Sequence, residues 1–227
     1  MKLLIGNKCY SSWSLRAWLL LKAKGIAFAE QLVLLDEPGF KDKVFAAAPG
    51  SGGTVPTLID GEVAVWETLA IAEYLHDRFP QAGIWPADAR ARAHARAISS
   101  EMHAGFLSLR NACPMNLGKR YAARDRGPGV ARDVARITAV WRQARERFGA
   151  GGPFLYGEFS AADAMFAPVV TRLDTYAITV DGVSQAYIEA VLTLPAYRDW
   201  LAGALAEPWI VAHDEVDEPS LADLRKL

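Results

Sequence analysis

Three hydroxyl residues, Ser11, Ser12 and Ser14, occupy the predicted start of a helix that follows a short apolar run near the N-terminus. A helix N-terminus presents unpaired amide donors and a partial positive charge, and both favour an anion placed there. A hydroxyl at this point can donate a hydrogen bond to the sulfur of a bound thiol, which favours the thiolate and lowers the thiol pKa. The pattern predicts a site for a small thiol with Ser11 or Ser12 as its activating group. Helix capping without chemistry is the alternative.

Cys9, just before these serines, offers a nucleophile of its own. A thioredoxin-like exchange centre more often has Cys-x-x-Cys spacing, and the other cysteine of the chain is the distant Cys113. Two cysteines in 227 residues make no disulfide framework, so we expect free thiols in a reducing cytoplasm.

Val55-Pro56 and Glu67-Thr68 supply groups suited to the two ends of a small peptide. Proline is tolerated at a strand start, and a cis bond there lets the Val55 main chain pair with an extended peptide; a trans proline in a loop is the alternative. Glu67-Thr68 opens a predicted helix, where the carboxylate suits an ammonium group and the hydroxyl suits a carboxylate. A favourable acid in a first helical turn is the structural alternative.

The elements that must position these residues alternate between strand and helix. Apolar runs and period-two alternation predict strands, a spacing of three to four residues predicts helices, and Asp60-Gly61 favours a tight hairpin turn. The order β-α-β-α-β-β-α indicates a compact α/β domain with a mixed sheet. The predicted strands are 2–6, 28–34, 56–59 and 62–65, and the predicted helices are 12–24, 38–47 and 67–79.

Composition changes at residues 80–86, where prolines and a glycine predict a linker. Beyond it we find no convincing strand pattern, and Pro114 is predicted to end or kink the first helix. The acidic tail after Val211 is predicted to cap the surface. The predicted helices are 88–115, 130–148, 161–177, 185–192 and 196–206. The predicted domains are an α/β domain 1–79 and an all-helical domain 87–227.

Charge and hydropathy exclude several classes of partner. The net charge is −1, so no global field selects nucleic acid or a membrane, and no apolar run approaches the ~20 residues that span a bilayer. The N-terminus lacks a signal-peptide pattern, which indicates a cytoplasmic protein. Residues 87–147 carry a local +8 and residues 148–227 a local −8. Matched surfaces between helical layers or subunits explain this better than a site for anions.

The serine turn followed by Arg16, the Val55-Pro56 step and the Glu67-Thr68 pair together resemble the glutathione transferase superfamily. The resemblance runs across nearly the whole chain. Ser160 to Asp163 resembles that family's capping box, in which a serine caps a helix and an acid reaches back to its amide. The resemblance implies a thioredoxin-like N-terminal domain, an all-helical C-terminal domain, glutathione as cosubstrate and a homodimer. Asp163 is then a folding residue.

Within the superfamily, segment 11–16 is most similar to the serine-type, zeta-related branch, which implies Ser11 as the activating hydroxyl and Ser12 as second choice. Two departures matter. Trp13 replaces the cysteine of zeta enzymes that isomerise maleyl compounds, and Thr54 replaces a more usual Lys or Gln, which leaves the glycyl carboxylate to Lys41, Lys43 or water. The implied glutathione contacts are Trp13, Lys43, Thr54, Val55, Pro56, Glu67 and Thr68.

The second substrate is expected in the cleft between the domains, facing Ser11. Aromatic and methionine side chains make an adaptable apolar wall, and Arg110 suits an anionic group on the electrophile. The candidates are Trp13, Met102, Phe106, Arg110 and Met115, with interhelical core as the alternative for most of them. The histidines show no ligand spacing, so no metal site is expected, and His103 alone is placed to reach the cleft.

Three functions remain open from the sequence. The first is a transferase that conjugates or reduces small electrophiles with a serine-stabilised glutathione thiolate, as in detoxification. The second is a glutathione-dependent cis–trans isomerase of a maleyl-type dicarboxylate, which Trp13 disfavours and Arg110 favours. The third is a non-catalytic binding or regulatory protein on the same scaffold, because a fold does not fix a function.

Overall fold

A computed structural model describes residues 1–225 of the chain. Its first part contains β1 (Lys2–Ile5), α1 (Ser12–Ala23), β2 (Ala29–Leu32), α2 (Phe40–Ala47), β3 (Thr57–Asp60), β4 (Val63–Trp66) and α3 (Thr68–Arg78). The predicted order of strands and helices is confirmed.

The four strands form one mixed sheet in the order β2-β1-β3-β4. The central strand β1 runs parallel to β2 and antiparallel to β3, and β3 and β4 form the predicted hairpin. Side chains of β1 alternate between two cores: Leu3 and Ile5 belong to the main core with α1 and α3, and Leu4 packs with Val44 of α2. The sheet with helices on both faces is the predicted thioredoxin-like domain.

The second part is helical, as predicted. Its helices are α4 (Ala89–Ala104), α5 (Leu107–Ala112), α6 (Pro128–Phe148), α7 (Ala161–Thr175), α8 (Gly182–Thr193) and α9 (Pro195–Ala206). Helix α7 is buried along nearly its whole length and packs against α1, α4 and α8. At its start the Ser160 amide donates to Asp163 Oδ2 at 2.8 Å, and the same carboxylate accepts from the Leu155 amide at 3.0 Å. This capping box fixes α7, which carries the interface to α1.

The prediction that no strand follows residue 86 is wrong. Strands β5 (Lys119–Tyr121) and β6 (Ser220–Asp223) pair antiparallel, and a Lys119–Asp223 ion pair of 3.1 Å joins their ends. Strands of three and four residues leave almost no alternation in the sequence, and the partners lie about 100 residues apart. The acidic tail is therefore built into the fold by strand pairing.

The predicted continuous helix 88–115 is also wrong, because the chain breaks well before Pro114. Helix α4 ends at Ala104, and Phe106 has φ 59°, in the left-handed region. A Cβ at Gly105 would lie 2.8 Å from the Glu101 carbonyl oxygen, so glycine permits this break. The chain then restarts as α5, which carries Arg110.

Residues 79–88 contain no helix or strand, and the domain boundaries placed around 80–86 stay a prediction. Among the helices of residues 1–225, none combines the length and apolar character needed to cross a membrane. Both Cys9 and Cys113 are free and buried.

Candidate functional site

A cavity of about 300 Å³ gathers residues from three distant segments of the chain. It lies at the lower end of the size range of small-molecule pockets. The predicted binding residues Trp13, Thr54 to Pro56, Glu67 and Thr68 all line it, together with His103 of α4. His103 is the one histidine that the sequence placed at the cleft. The Val55-Pro56 peptide bond is cis, the arrangement that the sequence left open.

The start of α3 presents polar groups to this cavity. Thr68 is only 2% exposed, and its hydroxyl has no hydrogen-bond partner within residues 1–225. A buried hydroxyl without a partner costs free energy, which a ligand acceptor at this position would recover. Glu67 has φ 67°, a region that side chains rarely adopt and that is often found at functional sites. Its carboxylate lies 3.8 Å from His103 Nε2.

The serine turn begins α1, with Ser11 as its N-cap. The Asn7 carbonyl accepts from the amides of Tyr10 and Ser11 at 3.1 and 2.7 Å. The Ser11 hydroxyl accepts from the Ser14 amide at 3.4 Å, so the capping alternative describes Ser11 in this structure. Ser11 is 7% exposed. Ser12 is half-buried, and its carbonyl accepts from Arg16 Nη1 at 3.2 Å.

Ser14 is a polar member of the turn that the sequence reasoning did not assign. It is fully buried, its hydroxyl oxygen accepts from the Gly6 amide at 2.9 Å, and this oxygen lies 2.8 Å from the Ser11 hydroxyl oxygen. The Ser11 hydroxyl donates to Ser14, whose oxygen has two lone pairs and so also accepts from the Gly6 amide. The Ser11 proton becomes available to a ligand when this bond reverses and Ser14 donates to Ser11.

Trp13 is packed between cationic and aromatic groups. The guanidinium carbons of Arg16 and Arg110 lie 4.3 and 4.9 Å from the centre of its ring. The His103 ring is 5.1 Å away, and Arg110 Nη1 donates to the His103 carbonyl at 3.4 Å. These contacts fix Trp13 as a cavity wall and place Arg110 beside it, whereas the role of Arg110 toward a second substrate stays a prediction.

Arg16, Arg110 and Arg172 form a cluster of guanidinium groups behind this wall. None of the three has a carboxylate within 4 Å in the described part of the chain. Arg16 Nε donates to the Met165 carbonyl at 2.9 Å, whereas its Nη2 is buried with no hydrogen-bond partner among residues 1–225. Burial and the neighbouring guanidiniums lower the pKa of Arg16, and they lower that of Arg172 to about 10. The region favours a negative charge nearby.

Several predicted residues lie elsewhere. Lys43 forms an ion pair with Glu37 and lines a different cavity with Lys2, so this structure does not bring it to the site. Met102 and Met115 are 0% and 2% exposed and belong to the main core, which is the alternative that the sequence left open for them. Phe106 is also buried, at the α4–α5 break, and Lys41 is exposed on α2.

A larger cavity of about 740 Å³ lies beside the linker. Its walls include Trp85, Arg92, Phe148 and Tyr156, and none of the serine-turn, Val55-Pro56 or Glu67-Thr68 residues. We assign the site to the smaller cavity, because polar groups suited to a ligand converge there and the volume alone carries no chemistry. Across residues 1–225, no group of three or more His, Cys, Asp or Glu side chains could hold a metal ion.

Comparison with known families identifies the fold and its class. Residues 10–78 match the family model of the glutathione S-transferase N-terminal domain, and residues 127–203 match that of the glutathione S-transferase C-terminal domain. Together the two models cover more than half of the chain. The protein therefore belongs to the glutathione S-transferase superfamily.

Individual relatives are distant. A stringent starvation protein A homolog of Pasteurella multocida is 25% identical over 188 residues, which are 80% of this chain and 79% of that protein. A glutathione transferase homolog from Burkholderia gl BGR1 with bound glutathione superposes with a TM-score of 0.67 at 22% identity, covering 89% of this chain and 96% of that one. Maleyl pyruvate isomerase, described as a bacterial zeta-class transferase, superposes with a TM-score of 0.64 at 22% identity. The superposition covers 92% of this chain and 99% of that one. The solved structures support the fold.

Proposed function

We propose that this protein is a glutathione transferase that conjugates or reduces small electrophiles. The observation that carries the proposal is the cavity in which Trp13, the Val55 main chain and the Glu67-Thr68 pair meet around the buried Thr68 hydroxyl, which has no partner in the described part of the chain. A homologue of the same fold has been solved with glutathione bound. The groups lining the cavity fit a small peptide with charged ends.

In the proposed complex, glutathione lies across the cavity from α3 toward α1. Its ammonium group pairs with Glu67, and its γ-glutamyl carboxylate accepts from the Thr68 hydroxyl and the free amides of α3. The Val55 main chain pairs with the cysteinyl backbone. Thr54 is adjacent to the glycyl end, whose carboxylate faces water because Lys43 is held by Glu37.

The chemical step needs a thiolate at the start of α1. The Ser11 hydroxyl donates to the sulfur, with Ser12 as the second choice, and the amide donors of α1 add to the stabilisation. The thiolate attacks an electrophilic carbon, a carbon–sulfur bond forms, and the leaving group departs with the electron pair of the broken bond. With a peroxide, the thiolate attacks oxygen, an S–O bond forms while the O–O bond breaks, and the alcohol leaves. A second glutathione then attacks the sulfenic acid, the S–O bond breaks, and the disulfide forms with release of water.

Thr68 provides a direct test of the binding mode. We expect Thr68→Val to weaken glutathione binding about 10- to 150-fold in a thermal-shift titration, because a hydrogen bond to a charged group contributes about 1.5–3 kcal/mol and ~1.4 kcal/mol is a factor of ten. Thr193→Val is the matched control, since the Thr193 hydroxyl donates to the carbonyls of Glu189 and Ala190 within its own helix, on the exposed end of α8. Equal glutathione affinity in Thr68→Val and wild type would contradict the proposed pose.

A second candidate is glutathione-dependent isomerisation of a maleyl-type dicarboxylate. The guanidinium cluster of Arg16, Arg110 and Arg172 favours it, because cations beside the cavity that have no carboxylate partner within residues 1–225 suit a dicarboxylate. Trp13, in the place of the cysteine of those isomerases, argues against it. Conversion of a maleyl-type dicarboxylate to its trans isomer, dependent on catalytic amounts of glutathione, would establish this activity.

The third candidate is a non-catalytic binding protein, and one similar protein carries the name stringent starvation protein A homolog. Glutathione binding without turnover of any electrophile would favour it.

We also propose a cytoplasmic homodimer that uses the surface of α3 and α4, to be checked by sedimentation.

A further inference from the structure

The chain that follows α9, residues 207–225, returns to the loop that carries the serine turn. We call it the C-terminal strap, and we call residues 6–11 the β1–α1 loop. The Glu207 carboxylate accepts from the Lys8 amide at 2.9 Å and from the Cys9 amide at 3.3 Å. The strap thus satisfies two backbone donors of the loop that the loop itself leaves unpaired.

Tyr10 is the second point of attachment, next to Ser11 in the chain. Its side chain is buried, and its hydroxyl donates to Glu215 Oε1 at 2.6 Å and accepts from Arg225 Nη1 at 3.0 Å. Burial and the hydrogen bond to Glu215 raise the pKa of Tyr10, so the phenol stays neutral and both bonds persist over the physiological range. Tyr10 is therefore fixed between two charged groups of the strap.

The strap is itself held firmly by the rest of the helical part. Its strand β6 pairs with β5, and the Leu224 amide donates to the Gly118 carbonyl at 2.7 Å. Asn116 Nδ2 donates to the same Glu215 oxygen at 3.0 Å, and the Leu117 amide donates to the Cys9 carbonyl at 3.1 Å. The strap and segment 116–121 form one frame around the loop.

We infer that the C-terminal strap sets the position of the serine turn, with Tyr10 as a positioning residue for Ser11. The amides of Tyr10 and Ser11 share the Asn7 carbonyl as acceptor, so a displacement of Tyr10 reaches Ser11 directly. A misplacement of about 1 Å can cost a catalytic group about 10²-fold in rate. This inference rests on the proposed function, because it assigns the strap a role at the thiol-activating hydroxyl.

Tyr10→Phe tests the inference in the full-length protein. We expect the pKa of glutathione's bound thiol, read from thiolate absorbance against pH, to rise, and kcat with a model chloronitrobenzene to fall about tenfold. Glutathione affinity stays within a factor of about three, because Glu67 and Thr68 are unchanged. Tyr74→Phe is the matched control: its hydroxyl donates to Asp60 at 2.9 Å, away from the serine turn, and we expect wild-type thiol pKa and kcat.

Glu207→Gln is the second variant, and it decides the matter if Tyr10→Phe does not fold. It keeps the shape of the side chain but places an amide donor opposite a backbone N–H of the loop, so we expect the same rise in thiol pKa. Wild-type thiol pKa and kcat in the folded variants would overturn the role of the strap and leave the proposed function standing. No thiolate signal in the wild-type protein would instead refute the proposed function.

Discussion

The hydroxyl oxygens of Ser11 and Ser14 lie 2.8 Å apart at the first turn of α1. The Ser11 hydroxyl donates to Ser14, which also accepts from the Gly6 amide, so the Ser11 proton becomes available to a ligand when the hydroxyl pair reverses its bond. Ser11 caps the helix through its oxygen, and under the proposed function its proton is donated to the thiol. Capping and chemistry, which the sequence presented as alternatives, are compatible in this geometry.

Replacement of Ser14 by alanine should lower both the stability of the protein and its turnover. Ser14→Ala leaves the buried Gly6 amide without an acceptor, which we expect to lower the free energy of unfolding by about 1–3 kcal/mol. Turnover should fall as well, because the Ser11 hydroxyl loses the partner that orients it. Urea denaturation and electrophile kinetics measure the two effects, and wild-type values in both would contradict the arrangement.

Replacement of Ser11 should separate binding from turnover. We expect Ser11→Ala to lower kcat about 10²-fold while glutathione affinity stays within a small factor, because the hydroxyl acts on the thiolate and not on the peptide ends. Steady-state kinetics and calorimetry provide the two numbers. Unchanged turnover in Ser11→Ala, with loss in Ser12→Ala, would move the role to Ser12.

Arg110 should discriminate between electrophiles by charge. We expect Arg110→Gln to reduce kcat/KM about tenfold for an electrophile bearing a carboxylate, and to leave an uncharged analogue with the same leaving group nearly unchanged. Arg136→Gln is the control, since Arg136 pairs with Glu101 on the exposed surface. An equal fall in kcat/KM for both electrophiles would show that Arg110 holds Trp13 in place and does not bind the carboxylate of the substrate.

Both cysteines should be inert in the native protein. Burial raises the pKa of Cys9 and Cys113 to about 11, so about 0.1% of each thiol is ionised at pH 8. We expect almost no reaction with an aromatic disulfide reagent at pH 8, and two reactive thiols after denaturation. Rapid labelling of Cys9 in the native protein would instead support the hypothesis that Cys9 is a nucleophile.

Asp163 should make stability depend on pH. Burial raises its pKa from 3.8 to about 6, so between these values the native state binds more protons than the unfolded state. The contribution of Asp163 to the unfolding free energy therefore falls as pH rises from 4 to 6. The stability difference between wild type and Asp163→Asn should shrink over this window, as measured by urea denaturation at each pH. A stability difference that grows as pH rises would show that the native state lowers the pKa of Asp163 and does not raise it.

Local periodicity was sufficient for the mixed α/β sheet and the helical second part, whereas the thioredoxin-like assignment and the capping box at Asp163 came from the resemblance to the superfamily. The sequence also predicted the residues that line the cavity, because their types and order along the chain resemble those of the glutathione transferase superfamily. It could not place Lys43, which an ion pair with Glu37 holds elsewhere. Met102 looked like a cleft residue because burial against core or ligand leaves the same apolar pattern.

The strap was not predictable for a different reason. Its contacts join Tyr10 to Glu215 and Arg225, about 200 positions away, and no local pattern encodes such a pairing. The β5–β6 pair that supports it is too short to leave a strand signal. The break at Phe106 was missed because a glycine followed by a left-handed residue resembles a tolerated helical glycine until the geometry is seen.

The central claim is that this cavity holds glutathione as a thiolate. The most direct measurement is the ultraviolet difference spectrum of the protein with reduced glutathione at neutral pH, alongside its melting curve. We predict thiolate absorbance that is lost in Ser11→Ala, with stabilisation of about 2.7 kcal/mol at ~100 times the dissociation constant. The absence of both thiolate absorbance and a melting shift at millimolar glutathione would contradict this claim.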